Sequence, residues 1–262
     1  MTVRVAITGA SGRMGQTLID SVAGRAGVEL AGLTDTPGSP WYGRTVAGLP
    51  VSDDAAAAFA AAHVAVDFTV PAATRAHAEL AATHATALVV GTTGLDAQDQ
   101  AAISAAAAHV PVVQAANFSL GVNLLAALVQ QAAERLGTDW DIEILEMHHR
   151  HKVDAPSGTA LALGAAAARG RGGDLDTLRA GPRDGITGPR EPGQIGFAAL
   201  RGGDVAGEHS VIFAGTKERL ELTHKATDRA IFAEGALHAA LWAAEPGRAP
   251  GLYSMADVLG IG

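Results

Sequence analysis

The feature that most constrains the fold lies near the N-terminus. There the apolar run Val3-Arg4-Val5-Ala6-Ile7-Thr8 passes into Gly9-Ala10-Ser11-Gly12-Arg13-Met14-Gly15 and then into a helix-compatible stretch over 14–23. A strand, a glycine-rich turn and a helix in that order make a βα unit, and the start of such a helix offers N–H groups and a partial positive charge to a phosphate. The spacing is G-x-x-G-x-x-G, its first gap one residue longer than in the usual dinucleotide fingerprint. A second strand is expected over Val28-Glu29-Leu30-Ala31-Gly32-Leu33-Thr34, and Asp35 follows it. An acidic side chain about 20 residues beyond the last glycine is placed to accept the hydroxyls of an adenosine ribose.

Further strands are expected over 64–69, 87–90 and 111–114, with alanine-rich helical stretches between them. Strands alternating with helices predict a parallel sheet covered on both faces. After Asn117 the pattern changes. A long helix is expected over 120–136, an alternating strand over 141–147 and a helix over 157–169. Residues 170–193 are rich in Gly, Pro and Arg without apolar periodicity, which predicts a mobile loop. Strands over 195–200, 209–214 and 219–224 follow, punctuated by Gly202-Gly203 and Gly215-Thr216, and a last helix covers 232–242. Such short connections require antiparallel or mixed pairing. The expected class is α/β: a Rossmann-like doubly wound parallel-sheet domain with an inserted α+β domain whose sheet is mostly antiparallel or mixed. The expected boundaries are 1–119, 120–228 and 229–262, the last segment returning to the first domain.

Composition narrows the chemistry. With no cysteine, disulfides, thiolate nucleophiles and cysteine metal sites are excluded. A formal net charge of -8 argues against nucleic acid as a partner. No apolar stretch reaches the ~20 residues needed to span a bilayer, and no cationic segment followed by a long apolar core opens the chain, so a cytoplasmic location without membrane contact is expected.

The densest chemistry lies in Glu146-Met147-His148-His149-Arg150-His151-Lys152-Val153-Asp154-Ala155-Pro156-Ser157-Gly158-Thr159-Ala160. Three histidines, an arginine and a lysine within five residues form a cationic, titratable patch in an acidic protein, the natural complement of a small anion. Ser157-Gly158-Thr159 is read as a helix start able to hold a carboxylate, with Pro156 preset for the helical turn. Adjacent histidines on a strand point to opposite faces, and no carboxylate set completes a coordination sphere, so no metal is expected. Gly91-Thr92-Thr93-Gly94, after the strand at 87–90, stands where open α/β sheets bind ligands.

On these residues the chain resembles the dihydrodipicolinate reductase family over nearly its whole length. The likeness includes Gly12-Arg13-Met14-Gly15, Gly91-Thr92-Thr93-Gly94, Ala116-Asn117-Phe118-Ser119-Leu120-Gly121-Val122-Asn123, Ile195-Gly196-Phe197-Ala198, Gly207-Glu208-His209, Leu222-Thr223-His224-Lys225-Ala226, Ala240-Leu241-Trp242 and Gly251-Leu252-Tyr253. Its most specific element is His-His-Arg-x-Lys-x-Asp-Ala-Pro-Ser-Gly-Thr-Ala. The resemblance implies an NAD(P)H-dependent reductase of lysine and diaminopimelate biosynthesis, acting on a small cyclic dicarboxylate and assembling as a homotetramer. It implies Gly9, Ala10, Ser11, Gly12, Arg13 and Met14 on the pyrophosphate and Asp35 on the adenosine ribose. Gly91, Thr92, Thr93, Ala115, Ala116, Asn117 and Phe118 would line the nicotinamide side. It further implies His148 and Lys152 as acid/base and proton donor, and His149, Gly158 and Thr159 on the substrate carboxylate.

One departure bears on the cofactor. Many members have an acid followed by an arginine after the second strand, whereas this chain has Asp35-Thr36. A carboxylate repels a 2′-phosphate, and no adjacent guanidinium compensates, so NADH is expected to be preferred and NADPH weaker, with Arg13 or Arg44 the side chains able to restore NADPH binding. Two competing readings are another Rossmann reductase, which has no need of a dicarboxylate cradle at a helix start, and a catalytically silent nucleotide sensor, which has no need of His148 and Lys152.

Overall fold

The computed structural model describes residues 2–261. The chain divides into two compact units, Met1–Leu120 with Ala230–Gly260, and Gly121–Arg229 with Ile261–Gly262.

The first unit is built on an eight-stranded sheet. Its strands are β1 (Val3–Thr8), β2 (Val28–Thr34), β3 (Thr45–Val46), β4 (Leu49–Ser52), β5 (Val64–Asp67), β6 (Ala87–Val90), β7 (Pro111–Gln114) and β12 (Gly251–Tyr253). The spatial order is β12-β7-β6-β5-β1-β2-β4-β3, parallel throughout except for β3 against β4. β5 and β6 are buried at every residue, as central strands covered on both faces must be, which is why they read as unbroken apolar runs. The helices are α1 (Arg13–Ala23), α2 (Ala55–Ala61), α3 (Pro71–His84), α4 (Ala97–Ala107), α8 (Ala230–Ala243) and α9 (Met255–Leu259). One face packs Leu18, Ile19 and Val22 of α1 with Ala236, Leu237 and Ala240 of α8 over Val5, Ile7, Val64 and Val66. The other packs Phe59, Ala78, Ala81 and Ile103 over Ala65, Leu88 and Val90. Asp96 and Asp99 close a capping box at the start of α4, and Ser254 and Asp257 do the same for α9.

The chain leaves β1 on one side to form β2 and returns on the other side as β5, so the ends of β1 and β5 mark the switch point where such sheets bind ligands.

The second unit is a four-stranded mixed sheet of β8 (Asp141–His148), β9 (Ile195–Arg201), β10 (Gly207–Ala214) and β11 (Arg219–Ala226), in the order β11-β10-β8-β9. β9 runs parallel to β8; β10 is antiparallel to both β8 and β11. The alternation along β8 buries Ile142, Ile144, Glu146 and His148 on one face, against α5 (Leu120–Leu136) and α6 (Gly158–Gly170). Leu125, Val129, Leu163, Ala167 and Phe213 complete that core.

The segment expected as a mobile loop is more ordered than its composition predicts. It carries α7 (Leu175–Leu178), capped by Asp174, and a bridge from Arg179 to Ile195. Arg190 bonds Asp141 at 2.8 Å, Glu143 at 2.9 Å and the Ile142 carbonyl at 3.0 Å, while Arg183 grips Glu143 bidentately. Arg171 donates to the Gly193 carbonyl at 2.7 Å. Arginine forks replace the apolar periodicity that sequence reading relies on. Among the described residues no helix is long and apolar enough to cross a membrane.

Candidate active site

In the first unit the predicted nucleotide residues gather at the carboxyl edge of the sheet. Gly9 follows β1 with φ of +66°, a left-handed conformation that favours glycine. Gly12 caps α1 without any side-chain hydrogen bond, so the helix start stays bare. A Cβ on Gly15 would lie 2.3 Å from the Gly9 carbonyl oxygen and 2.9 Å from Ala10 Cα, so the absent side chain lets α1 close against the loop. A bare helix N-terminus held against a glycine turn fits a pyrophosphate, because the first-turn amides have no intrahelical acceptor and carry the positive end of the dipole.

Asp35 follows β2 directly and lies beside this loop. Its carboxylate accepts from the Ser11 amide and the Thr36 amide, each at 2.8 Å. Partial burial pushes this carboxyl upward, but hydrogen bonds from Ser11 and Thr36 outweigh burial and hold it below the ordinary carboxylate range. Each oxygen keeps a lone pair for a ribose hydroxyl. These residues therefore fit the adenosine half of a dinucleotide.

The loops expected on the nicotinamide side are tied to the same edge through Asp67, the fully buried last residue of β5. Its Oδ1 accepts from Thr8 Oγ at 3.0 Å and from Thr69 Oγ at 2.5 Å. The Thr69 amide and the Thr74 hydroxyl both donate to Thr92 Oγ, at 3.1 and 2.8 Å. The loops after β1, β5 and β6 are thus linked by short side chains. Bare Gly91 abuts the Phe68 ring, which meets Phe118 edge-on at 5.4 Å. The Ala115, Ala116, Asn117 and Phe118 segment follows β7, and bare Gly235 of α8 lies against the Phe118 carbonyl. Thr93 lies exposed beside buried Thr92.

In the second unit His148 is the last residue of β8, on its buried face. Its Nδ1 lies 2.6 Å from Oε2 of Glu146. Glu146, 1% exposed, is also gripped by both terminal nitrogens of Arg201, each at 2.7 Å, and its Oε1 accepts from the Ser157 amide at 3.0 Å. Burial pushes the Glu146 carboxyl upward, but Arg201, His148 and the Ser157 amide outweigh it and hold the group below the usual carboxylate range, so it is ionised.

Ser157 caps α6, accepting from the Ala160 amide at 3.1 Å, and its hydroxyl meets His209 Nε2 at 2.9 Å. The helix begins at Gly158, so Pro156 lies one residue before the cap rather than in the first turn, as the sequence had implied. His209 is pushed down to about 4, chiefly by burial and then by His148, and is neutral. Lys152 pairs with the exposed Asp154 carboxylate at 2.8 Å. Arg229 donates to His149 Nε2 at 3.0 Å, and burial, followed by Arg229, lowers the His149 pKa. His149 and His209 are consequently poor sources of positive charge, and Arg150, Lys152, Arg201 and Arg229 supply cationic groups around them.

Each unit therefore collects one predicted set: nucleotide residues in the first, His148, His149, Lys152, Gly158 and Thr159 in the second. Sequence reading missed the parts played by Glu146, Arg201 and His209. The readable signal for Glu146 was its place in the alternation Ile142, Ile144, Glu146, His148, which puts a carboxylate at a core position. Arg201 and His209 reach the site only through strand register, His148 opposite Arg201 and Glu146 opposite His209.

Comparison with known proteins identifies the family. The family profile for the N-terminus of dihydrodipicolinate reductase matches residues 3–118, and that for its C-terminus matches residues 121–259. A 4-hydroxy-tetrahydrodipicolinate reductase of Cereibacter sphaeroides is 56% identical over 265 residues, covering 98% of each chain. One from Rhodopseudomonas palustris is 57% identical over 268 residues, covering 99% of this chain and 97% of its own. Among solved structures, the dipicolinate-bound dihydrodipicolinate reductase from Paenisporosarcina sp. TG-14 superposes with a TM-score of 0.81 at 24% identity, over 98% of this chain and 99% of that one. With both halves matched end to end and the histidine stretch built into a carboxylate-backed cluster, the chain belongs to the dihydrodipicolinate reductase family.

Proposed function

We propose that the chain reduces 4-hydroxy-tetrahydrodipicolinate, with loss of water, to tetrahydrodipicolinate in the diaminopimelate route to lysine. The observation that carries this reading is the second unit's cluster, with His148, His149 and Lys152 beside the capped start of α6, in a chain over half identical to reductases of that name. A pyridine nucleotide would supply the hydride when bound, and the bare start of α1, Asp35 and the loops after β6 and β7 are the residues that would hold it.

The protein's own contribution is charge and protons. A cyclic dicarboxylate is drawn to Lys152, Arg150 and Arg229 and to the amides of Gly158 and Thr159 at the positive end of α6. Arg229 occupies Nε2 of neutral His149, so its proton is carried by Nδ1, which has no hydrogen-bond partner. Hydride addition to a conjugated imine leaves negative charge on the ring, and His148 or Lys152 neutralises it by donating a proton. Lys152 must exchange Asp154 for substrate to do so; Asp154 is more than half exposed and readily resolvated. Dipicolinate, a planar dicarboxylate, is expected to compete with substrate, and failure of any dicarboxylate to compete argues for another reductase chemistry.

The reading includes a cofactor preference. An ionised Asp35 with no guanidinium beside it in sequence favours the free 2′-hydroxyl of NADH over the 2′-phosphate of NADPH. Arg13 and Arg44 are exposed, and reaching the phosphate would cost them side-chain entropy. The expected kcat/KM is on the order of 10-fold higher for NADH, about 1.4 kcal/mol. Equal or greater efficiency with NADPH contradicts it.

Self-association as a homotetramer through the second sheet is the expected assembly. The sheet face away from α5 and α6 carries exposed Ala198 and Leu200 beside half-buried Leu145 and Met147. A solution mass of one chain by light scattering contradicts it.

A further inference from the structure

Resting on the reading of His148 as a proton-transfer group, we propose that Glu146 is a positioning residue that keeps the His148 proton on Nδ1, so that Nε2 alone exchanges protons with substrate, and that Arg201 locks Glu146 in this role.

The geometry gives Glu146 four contacts and no spare direction. Oε2 takes His148 Nδ1 at 2.6 Å and one Arg201 nitrogen at 2.7 Å; Oε1 takes the other Arg201 nitrogen at 2.7 Å and the Ser157 amide at 3.0 Å. An ionised carboxylate only accepts, so the imidazole nitrogen facing it carries the hydrogen. The bidentate Arg201 fork fixes the carboxylate plane, and Arg201 is itself held by the Asp154 carbonyl at 2.7 Å.

The opposite edge of the ring is kept open. A Cβ on Gly207 would lie 3.0 Å from His148 Nε2, so glycine there leaves that nitrogen uncovered. His209 meets the His148 ring edge-on at 5.1 Å and bonds to Ser157 instead of competing for either nitrogen. The groups that face His148 are thus Glu146 on its own strand, Arg201 on β9, His209 on β10, and Lys152 and Asp154 in the following loop. One carboxylate consequently orients both the proton-transfer ring and, through the Ser157 amide, the cap of the helix that receives the substrate carboxylate. Neither link needs Glu146 to touch substrate.

Glu146→Gln tests this directly. The amide must turn one NH₂ toward its partners. Facing Oε1's partners it would oppose two donors, Arg201 and Ser157; facing Oε2's it opposes one Arg201 nitrogen and can donate to a bare Nδ1. The second arrangement loses fewer hydrogen bonds and moves the His148 proton to Nε2. Chains labelled with ¹⁵N-histidine, the His148 signals identified by their loss in His148→Gln, are expected to show protonated Nδ1 and bare Nε2 for the neutral ring of the unsubstituted protein. The reverse is expected in Glu146→Gln.

The same variant should lose about 10–100-fold in kcat, while the dissociation constant for NADH stays within 2-fold, roughly the scatter of such contexts. Glu146→Asp, which keeps the charge, should retain the Nδ1 proton and recover part of the lost kcat. An Nε2-protonated neutral His148 in the unsubstituted protein overturns the proposal whether or not any variant folds. So does a Glu146→Gln enzyme with unaltered kcat when His148→Gln is inactive. If His148→Gln itself turns over normally, the underlying assignment of His148 fails instead.

Discussion

Lys152→Ala and His148→Gln are each expected to lower kcat by about 10²–10⁴-fold while leaving NADH binding intact. Proton donation to a ring that has just accepted hydride is a transition-state contribution, so removing the donor falls on kcat. Lys152 is also proposed to attract the substrate dicarboxylate, so its loss should raise the substrate KM as well; His148, tied to Glu146 and 8% exposed, should affect kcat more selectively. The double variant is expected to be little worse than the weaker single one if both act in one proton-transfer step, because residues acting as a unit are not additive. Steady-state kinetics on the three variants, with NADH affinity measured separately by fluorescence, checks this. Multiplicative losses would assign the two residues to independent steps.

The second large effect is expected on the nucleotide side. In Gly15→Ala the new methyl would lie 2.3 Å from the Gly9 carbonyl oxygen and 2.8 Å from that of Ala10, both backbone atoms that cannot rotate away. Either α1 or the loop must move, and overpacking of this kind costs about 1–3 kcal/mol. Because the same contact sets the position of the α1 start, proposed above to hold the pyrophosphate, NADH affinity should fall on the order of 10–100-fold, accompanied by a Tm lower by about 2–10 °C. Far-UV circular dichroism should remain native. Unchanged NADH affinity would mean that the Gly9–Gly15 contact does not shape the nucleotide site.

Much of the first unit was legible because its signals are local. The Gly9, Gly12 and Gly15 spacing, unbroken apolar strands and one acidic residue at a set distance all read directly along the chain. β3, β4 and β12 were not legible: strands of two to four residues carry no usable periodicity, and β12 pairs with β7 from the far end of the chain. In the second unit the strand alternation was clear, but the order of the segment around α7 was hidden, since Arg171, Arg183 and Arg190 hold it through hydrogen bonds to partners distant in sequence. The second unit's histidine cluster shows the same division. His148, Lys152 and the α6 start form one contiguous stretch, whereas Arg201 and His209 come to it from β9 and β10, and only register between strands reveals them. Glu146 lay in the legible stretch with its role unread: a carboxylate on the buried face of β8 is costly unless paired, and that cost was the available clue.

The measurement that tests the central claim most directly is NADH oxidation followed at 340 nm, with 4-hydroxy-tetrahydrodipicolinate generated in place by the synthase that precedes it. The account predicts rapid, substrate-dependent oxidation that disappears in the His148→Gln, Lys152→Ala pair while those variants still bind NADH. A folded, NADH-binding wild type that oxidises nothing in the presence of this substrate would contradict it.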